Sequence, residues 1–487
     1  MIGVSDLQQA LKDATEGIPT TAEFDDNPTP ANVFTPPSHI RALRLQTLLV
    51  IGARGAGKTF WTMALQQGSI RQLLERDVPD LADVRVSAGF ANISNPDAYP
   101  GPNTFSQLLA KNHDPMNIWR AVWVRALANQ PEISCLDCPC ALNSWETDVK
   151  TVADVPEKVD RFFFEANNIL SRIGARTLVL FDALDRVANS WEDINNLTTA
   201  LLRTTLQLSV FSHIKGKIFL RQDHFNRLDF TFPDSSKLLA TNVTLSWKRT
   251  ELYGLLWKRF CNTEGNGGVL FRKLFEAYLP NGLQEKNGTW SFSQYAELTD
   301  DNLRPLFHIL TGPFMGKDRR RGIPYVWTVG HLADAHQQTS PRSFLAAISR
   351  ACEDSRENHK SASVAIHYDS IKQGVQAASK IRVNEMKEDN PWVGGLLESL
   401  RGITVPCSFQ DVQHIWEQRY PQGPRELAET PLLYAPPEFS SQQWSDVREL
   451  LQNLGFCLKM SDGRFNMPDL YRVGFGLGRK GGVKPLK

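Results

Sequence analysis

A glycine-rich stretch of eight residues has the composition and spacing to bind the phosphates of a nucleotide. It reads Gly52-Ala53-Arg54-Gly55-Ala56-Gly57-Lys58-Thr59 and is followed by Phe60. Glycines let the backbone curl so that consecutive N–H groups face phosphate oxygens, and the start of the next helix adds positive potential. In such a loop Lys58 contacts the β- and γ-phosphates and Thr59 binds Mg²⁺ through its hydroxyl. We therefore expect the loop and Phe60 to bind a nucleotide with Mg²⁺.

The segments that flank this loop are typical of a strand and a helix. Residues 45–51 form an apolar run, and residues 60–65 read as the start of a helix. A phosphate-binding loop requires this strand–loop–helix context, and the alternative is an ordinary glycine-rich turn. The context favours the nucleotide site.

A second apolar run, residues 177–181, ends at Asp182. A continuous apolar run without alternation indicates a strand buried on both faces, as in a parallel sheet. An aspartate at the carboxyl end of such a strand lies beside the phosphate loop, where it binds Mg²⁺ directly or through water. Asp182 is therefore predicted to be a Walker B aspartate, and the alternative is a helix N-cap.

Strands and helices alternate between residues 45 and 247, with further strands predicted at 84–90, 217–223 and 242–247. This alternation predicts an α/β fold with a doubly wound, mainly parallel core. Together with the phosphate loop and Asp182, this core resembles that of a P-loop NTPase of the ASCE type. In such folds the ligand lies at the carboxyl ends of the strands, which here carry Gly52, Asp182 and Arg221.

The chain of 487 residues is long enough for about three domains, and its pattern becomes mainly helical after residue 247. The predicted parts are an N-terminal helix and linker at 1–30, the ATPase core at 31–247, a helical lid at 248–390 and a winged-helix-like domain at 391–487. That last part combines a helix at 444–454 with a hairpin around an Asp-Gly turn at 462–463. Its tail, 471–484, is basic, glycine-rich and aromatic, which suits a nucleic-acid backbone. A solvated tail on a protein-docking winged helix is the alternative.

The segment Asp182-Ala183-Leu184-Asp185-Arg186 and the phosphate loop together resemble the STAND branch of P-loop NTPases, close to AAA+ and to the KAP and NACHT groups. In NACHT-type proteins a small residue follows the Mg²⁺ aspartate and an acidic residue stands two positions after it, which Ala183 and Asp185 match. A standard AAA+ ATPase has Glu in place of Ala183. Winged-helix domains follow the lid in many STAND and origin-recognition-like ATPases, so the resemblance implies the same order here.

The resemblance implies hydrolysis of ATP, with Lys58, Asp182, Asp185 and Arg221 as the catalytic residues. Asp185 is the predicted water-activating carboxylate, and its alternative is a salt bridge or helix cap. Arg221 resembles the sensor 1 arginine and would stabilise charge on the γ-phosphate, with a surface arginine as the alternative. Because no Glu stands at position 183, we expect slow turnover.

Two further arginines are candidates. Arg186 is expected either to pair with Asp185 or to act across a subunit interface on a neighbouring nucleotide. Arg342 is a candidate sensor borne by the lid, although an ordinary helix-surface arginine is the simpler interpretation. The helix that contains it has Ser340 placed as N-cap and Pro341 at its first position.

The first expected function is an ATP switch that self-associates and signals to a partner. Most STAND proteins carry sensor repeats or effector domains, and this chain has neither, so an effector or sensor is expected on another protein. By analogy with the class, such a switch belongs to bacterial anti-phage or mobile-element conflict. The alternative is a DNA-binding loader ATPase of the origin-recognition or transposition type, which grips DNA through its C-terminal domain.

Smaller features complete the predictions. Val33, Phe34 and His39 precede the first core strand, and they are either neighbours of the adenine or part of a plain linker. Cys135, Cys138 and Cys140 lie within six residues, but zinc usually takes a fourth ligand, so a polar surface loop is favoured over a zinc site.

Composition limits the function classes. The net charge is +1, so any surface for nucleic acid must be local. No apolar run approaches the ~20 residues of a membrane span, and the N-terminus shows no secretory pattern. Seven scattered cysteines fit a reducing compartment, so we expect a cytoplasmic protein.

Overall fold

The computed structural model describes residues 3–18, 27–429 and 443–486. Its helices are α1 (Val4–Thr15), α2 (Pro37–Leu43), α3 (Lys58–Gln66), α4 (Gly68–Leu74), α5 (Pro102–Ala110), α6 (Pro115–Ala128), α7 (Trp145–Asp154), α8 (Pro156–Arg172), α9 (Trp191–Leu208), α10 (Gln222–Phe225), α11 (Ser235–Thr241), α12 (Arg249–Cys261), α13 (Gly265–Tyr278), α14 (Asp300–Thr311), α15 (Pro324–His331), α16 (Pro341–Asn358), α17 (Tyr368–Asp389), α18 (Pro391–Glu398), α19 (Phe409–Arg419), α20 (Arg425–Glu429), α21 (Trp444–Asn453) and α22 (Asp469–Arg472). Short 3-10 helices lie at Pro79–Leu81, Leu184–Arg186 and Arg319–Arg321. The strands are β1 (Leu49–Gly52), β2 (Val84–Phe90), β3 (Arg176–Phe181), β4 (Ile214–Arg221), β5 (Val243–Leu245), β6 (Leu283–Lys286), β7 (Thr289–Phe292), β8 (Leu458–Lys459) and β9 (Phe465–Asn466).

Five parallel strands form the central sheet in the order β2-β3-β4-β1-β5. The strand β4 lies between β1, which leads into the phosphate loop, and β3, which leads into Asp182; this is the arrangement of the ASCE type. Every residue of β1 is buried, as are the last five of β3, because helices cover both faces of the sheet. The predicted α/β, doubly wound, mainly parallel core is therefore confirmed.

Large aromatic side chains fill one side of this sheet. Trp119 and Trp123 of α6 pack against Phe181 of β3, with ring centroids 5.7 and 5.6 Å apart, and all three are fully buried. Each such ring buries 150–250 Å², so these contacts contribute strongly to holding α6 on the sheet. A further helix of this unit, α7, buries Trp145, Val149 and Val152.

The described residues divide into two compact units. Residues 27–30 and 35–246 form one, and residues 3–18, 31–34 and those from 247 onward form the other. The helix α1 buries Leu7, Ala10 and Leu11 in the core of the second unit, in contact with α13. The division into four parts that we derived from the sequence stays a prediction.

The second unit is mainly helical and carries two small hairpins, β6–β7 and β8–β9. The helix α21 and the hairpin β8–β9 follow the predicted helix and turn, with Gly463 at φ 84° in the turn. The helix α17 packs closely along α16 and buries a face that includes Val375.

The tail is folded rather than extended. Tyr471, Val473, Phe475 and Leu477 are buried in the core of the second unit, and Arg472 is fully buried. The aromatic rings that we considered for nucleic-acid binding are therefore covered by apolar neighbours. Among the described residues, no helix is long and apolar enough to cross a membrane.

Candidate functional site

The phosphate loop runs from the end of β1 to the first turn of α3. Gly55 and Gly57 have φ angles of 77° and 105°, a left-handed conformation that a side chain would oppose. Within the loop, Lys58 Nζ donates hydrogen bonds to the carbonyl oxygens of Gly52 at 2.9 Å and Ala53 at 3.0 Å. The side-chain amine of Lys58 therefore lies against the loop whose bound phosphates it is predicted to contact.

Burial and the nearby Arg221 guanidinium lower the pKa of Lys58 to about 8. Asp182, Asp185 and Asp223 partly oppose this effect because their carboxylates attract the ammonium form. Lys58 is thus the centre of a compact group of charges, and a bound polyphosphate would favour its charged form.

Asp182 follows β3 and is 3 % exposed. Its backbone N–H donates to Phe90 O at 2.9 Å, and its carboxylate accepts hydrogen bonds from the Thr59 hydroxyl and from the backbone of Ala183. Burial raises the pKa of Asp182, while the Lys58 ammonium lowers it. The hydroxyl and carboxylate predicted to bind Mg²⁺ are thus adjacent.

These two oxygen donors fit the demands of Mg²⁺, which is usually held by one or two protein groups together with waters and substrate phosphates. No group of three or more His, Cys, Asp or Glu side chains in the described ranges could enclose a metal by itself. An open pair of hard oxygen donors is what a Mg²⁺–nucleotide complex requires.

Arg221 stands at the end of β4, in register with Gly52 at the end of β1. Its Nε and Nη2 donate to Asp223 Oδ1 and Oδ2 at 3.0 and 2.8 Å, and its Nη1 donates to Asp185 Oδ2 at 3.3 Å. Burial raises the pKa of Asp223, but the ion pair and hydrogen bonds with Arg221 outweigh it and hold that pKa well below its usual range. Asp185 and Arg221 are thus brought together, although the sequence did not indicate the pairing.

The turn between Asp182 and Asp185 has an unusual backbone. Ala183 has φ 55° and ψ 33°, a left-handed conformation that is uncommon for alanine. Asp185 follows in the 3-10 helix Leu184–Arg186, with its side chain 23 % exposed. The turn therefore directs the carboxylate of Asp185 toward Arg221.

The predicted pairing of Arg186 with Asp185 is wrong. Arg186 Nη1 donates to Asn92 Oδ1 at 2.6 Å, because Asp185 is already bound to Arg221. The proposed action of Arg186 across a subunit interface stays a prediction. Arg342 lies in α16, where its Nη1 donates to the buried Glu385 at 2.9 Å.

Sequence reasoning missed a group of side chains beside Arg221. His224 is 1 % exposed, and its ring lies edge-on to Trp191 with centroids 5.6 Å apart. The guanidinium of Arg227 lies 4.3 Å from the centre of the same indole ring. Burial lowers the pKa of His224 to about 4, so the ring is neutral near pH 7. The sequence did contain an indication that Asp223 belongs to the site, because it stands two residues after Arg221 at the end of a predicted strand.

The ring of His39 has no open face with which to contact adenine. It is fully buried; its Nε2 lies 3.1 Å from Ser246 O, and its Nδ1 accepts a hydrogen bond from Trp61 Nε1 at 3.1 Å. Burial lowers its pKa to about 4, which suits the acceptor role of Nδ1. His39 therefore links α2 to α3, the helix that carries Thr59 and Phe60.

Val33 and Phe34 belong to the other unit, where the ring of Phe34 contacts Trp247 and Phe292 with centroids 6.4 and 5.8 Å apart. Their predicted role beside adenine stays a prediction. In the loop itself Arg54 is half-buried, and the half-buried Phe60 ring packs edge-on against Trp61.

A buried lysine was also missed. Lys217 on β4 is fully buried, and its Nζ donates to three carbonyl oxygens, those of Ala42, Arg44 and Thr47, at 2.6, 2.9 and 2.6 Å. Burial lowers its pKa to about 7. Because the three acceptors lie between the last turn of α2 and the start of β1, Lys217 fixes the chain that leads into the phosphate loop.

The cysteine group at 135–140 is split between surface and core. Cys135 is exposed, whereas Cys140 is buried, and burial raises the pKa of its thiol to about 12. Burial also raises the pKa of Cys138. The three thiols therefore lie in different environments, and the choice between a surface loop and a zinc site stays a prediction.

No family model matches the chain, and no curated protein matches it. The solved structures that resemble it include the following three. The Cdc6p protein from Pyrobaculum aerophilum is 10 % identical, with 88 % of this chain and 84 % of that chain covered and a TM-score of 0.31. The ORC2 protein of Aeropyrum pernix, in ADPNP–ADP complexes, is 12 % identical over 87 % and 84 %, with a TM-score of 0.37. The Aeropyrum pernix ORC1 protein in complex with DNA is 13 % identical over 96 % and 88 %, with a TM-score of 0.32. Because all three TM-scores are below 0.5, these comparisons carry no argument about function. We therefore infer the function of this chain from its own residues.

Proposed function

We propose that the chain binds and slowly hydrolyses ATP and acts as a molecular switch of the AAA+ or STAND type. The observation that carries this proposal is the position of Lys58 across a left-handed glycine loop, beside the hydrogen-bonded pair of Thr59 and Asp182. A cation next to an oxygen pair suited to Mg²⁺ is what recognition of a nucleoside triphosphate requires. No Asn-Lys-x-Asp motif for guanine is present in the sequence, so ATP is the preferred nucleotide.

Each residue has a defined part in the proposed reaction. Lys58 neutralises the β- and γ-phosphate oxygens, and Arg221 stabilises the charge that develops on the γ-phosphate. Asp185 orients and deprotonates the attacking water, and its contact with Arg221 keeps its carboxylate in place. Thr59 and Asp182 would hold Mg²⁺, which would neutralise negative charge on the phosphates when bound.

Slow turnover follows from the residue after Asp182. A standard AAA+ ATPase has a glutamate where this chain has Ala183, and the turn at Ala183 is left-handed. The nearest carboxylate that can replace it is Asp185, which is shared with Arg221. Slow hydrolysis keeps the ATP-bound state populated, which suits a switch.

The test compares ATP binding and hydrolysis in three variants of the full chain. Lys58→Ala is expected to weaken ATP binding by more than about 10-fold, because a charge-assisted contact is lost. Lys237→Ala, which removes an exposed lysine of the same unit, should bind ATP as the wild type does. Asp185→Ala should bind ATP normally and lose at least about 10²-fold in turnover; unchanged turnover would show that Asp185 is not the activating group.

For the biological role, we propose that the ATP state controls self-association and contact with a partner, as in anti-phage or mobile-element conflict. Size-exclusion chromatography with and without a non-hydrolysable ATP analogue tests this directly. An elution volume that does not change with the nucleotide would contradict the switch.

A DNA-binding loader is the alternative function, and the exposed lysines Lys480 and Lys484 in the tail favour it. Backbone contacts of this kind make DNA affinity fall as salt rises. If the chain is a loader, charge reversal at both lysines should weaken binding to duplex DNA and reduce that salt dependence. Equal binding by the variant would exclude the tail as the contact.

A further inference from the structure

A cleft of about 610 Å³ lies in the unit that contains residues 247–429 and 443–486. One wall is the helix α15, and the opposite wall comes from the hairpin β8–β9 and the start of α22. Its apolar lining residues are Ile323, Val326, Trp327, Ala333, Leu458 and Pro468. The volume is in the range of sites that take a ligand or a few anchoring side chains.

The apolar floor of the cleft reaches solvent. Val326 is 40 % exposed, and it is one of several exposed large apolar side chains in this unit. Next to it Trp327 is half-buried and stacks on His331, with ring centroids 3.8 Å apart. Covering these groups with an apolar side chain would remove them from water, so the floor is suited to an apolar anchor.

The rim of the cleft is basic. Arg319 lines it and belongs to the run Arg319–Arg321, all of which is exposed. Arg479 lines the other side, where Asn466 Oδ1, Met467 O and Asp469 Oδ1 accept its hydrogen bonds at 2.7–2.8 Å. One arginine of the rim is therefore held in a fixed position, while the run at 319–321 is open to solvent.

The two acidic side chains of the cleft are buried, and Asp469 pairs with Arg479, so the basic charge that stays open to solvent is that of the run at 319–321. Asp334 is buried and accepts hydrogen bonds from the backbone N–H groups of His336 and Gln338, both at 2.9 Å. Asp469 is also buried, and Oδ1 accepts from Arg472 Nε at 2.6 Å and from Arg479. Its Oδ2 accepts no hydrogen bond within the described part of the chain and lies 3.5 Å from His331 Nε2.

We propose that this cleft docks an acidic segment of a partner protein, with one apolar side chain seated over Val326 and Trp327. Glutamate or aspartate side chains of the segment pair with the rim arginines, which fixes its position and speeds encounter. A duplex nucleic acid matches the rim charge, but its phosphates have no apolar group for a concave floor, so a peptide is the better occupant.

The experiment uses the full chain as bait for a display library of short random peptides, and the selected peptides are then measured by fluorescence anisotropy. We expect them to be enriched in Asp and Glu around an aromatic or aliphatic residue. Val326→Glu and the double variant Arg319→Glu/Arg320→Glu should each weaken their binding by about 10-fold or more. Arg304→Glu, a charge reversal on α14 outside the cleft lining, is the matched control and should bind as the wild type does.

Each result of the peptide selection and binding measurements either supports or contradicts the proposed docking of an acidic segment. Circular dichroism spectra and thermal unfolding curves that match those of the wild type show that each variant is folded, including the unit that contains the cleft. A selection that yields no consensus, a basic consensus, or acidic peptides that bind the cleft variants equally well overturns the proposal. The same holds if a short DNA duplex displaces the peptides and loses its own binding in Val326→Glu, because the cleft would then be a nucleic-acid surface.

Discussion

Asp223 holds the guanidinium of Arg221 through two hydrogen bonds, from Nε at 3.0 Å and from Nη2 at 2.8 Å. This bidentate geometry fixes the plane of the guanidinium and leaves Nη1 to contact Asp185 at 3.3 Å. Two of the proposed catalytic side chains thus take their positions from a third residue, and that residue has no predicted contact with the nucleotide.

Weakening the hydrogen bonds between Asp223 and Arg221 should reduce the rate of ATP hydrolysis rather than the affinity for ATP. Asp223→Asn keeps one acceptor oxygen, and Asp223→Ala removes both, so we expect kcat to decrease in the order wild type, Asp223→Asn, Asp223→Ala. The alanine variant should lose at least about 10-fold in kcat because Arg221 and Asp185 are no longer held in place. Steady-state kinetics should show KM nearly unchanged.

The control for this series is Asp77→Asn, which neutralises an exposed carboxylate in the same unit. It should leave kcat and KM unchanged. A raised KM with wild-type kcat in the Asp223 variants would mean that Asp223 supports ground-state binding instead of positioning Arg221.

ATP binding should be accompanied by proton uptake near pH 8. The pKa of Lys58 in the free protein is about 8, below its ordinary value of 10.5, because of burial and the neighbouring Arg221. Bound phosphates favour the ammonium form and raise this pKa, so the complex holds more protons than the free protein above about pH 7. ATP affinity should therefore fall as the pH rises through 8.

Isothermal titration in buffers of different ionisation enthalpy measures this uptake. We expect about half a proton per ATP near pH 8 and almost none near pH 6, where Lys58 is already charged. His39 and His224, with pKa values of about 4, should not contribute in this range. Uptake that is the same at both pH values would show that Lys58 does not titrate on binding.

The sequence was sufficient to predict the sheet and the nucleotide loop because these depend on local patterns. The continuous apolar runs before Gly52 and Asp182 are the strands β1 and β3, and glycines mark the loop that joins β1 to α3. Strand alternation with helices was enough to predict the parallel core. These features need no knowledge of which side chains meet in space.

The contacts around Arg221 could not be predicted in the same way. Asp185 and Arg221 are 36 residues apart, and their pairing depends on the sheet register and on the left-handed turn at Ala183. The buried structure of the tail at 471–484 could not be predicted for a related reason. Its glycines and basic residues are typical of an open segment, but Arg472 is buried against Asp469 and its aromatic neighbours fill the core.

Replacing Lys217 by methionine should destabilise the unit that contains the nucleotide loop. The variant leaves the carbonyls of Ala42, Arg44 and Thr47 without this donor, and orphaned buried groups cost about 1–3 kcal/mol each. We expect the free energy of unfolding in urea to fall by about 3 kcal/mol. Lys215→Met on the same strand is the control; this lysine is half-exposed, so the loss should be below about 1 kcal/mol.

The pH dependence of stability gives a second measurement on Lys217. Its folded pKa of about 7 lies below its ordinary value of 10.5. The unfolded chain therefore binds more protons between these values, and through this group the free energy of unfolding rises with pH across that window. Lys217→Met should remove this contribution. A variant with the same rise as the wild type would show that Lys217 does not titrate on unfolding.

Replacing Ala183 by glycine should stabilise the chain without changing catalysis. Ala183 is held at φ 55°, where its Cβ costs roughly 1–2 kcal/mol and glycine has no such penalty. Glycine also gains freedom in the unfolded chain, so the expected net gain in the free energy of unfolding is about 1 kcal/mol. Ala188→Gly is the control, since Ala188 is buried and not among the residues with positive φ; it should lose stability. If Ala183→Gly is destabilised as well, the left-handed turn does not strain the alanine, and the position of Asp185 must depend on its contact with Arg221 instead.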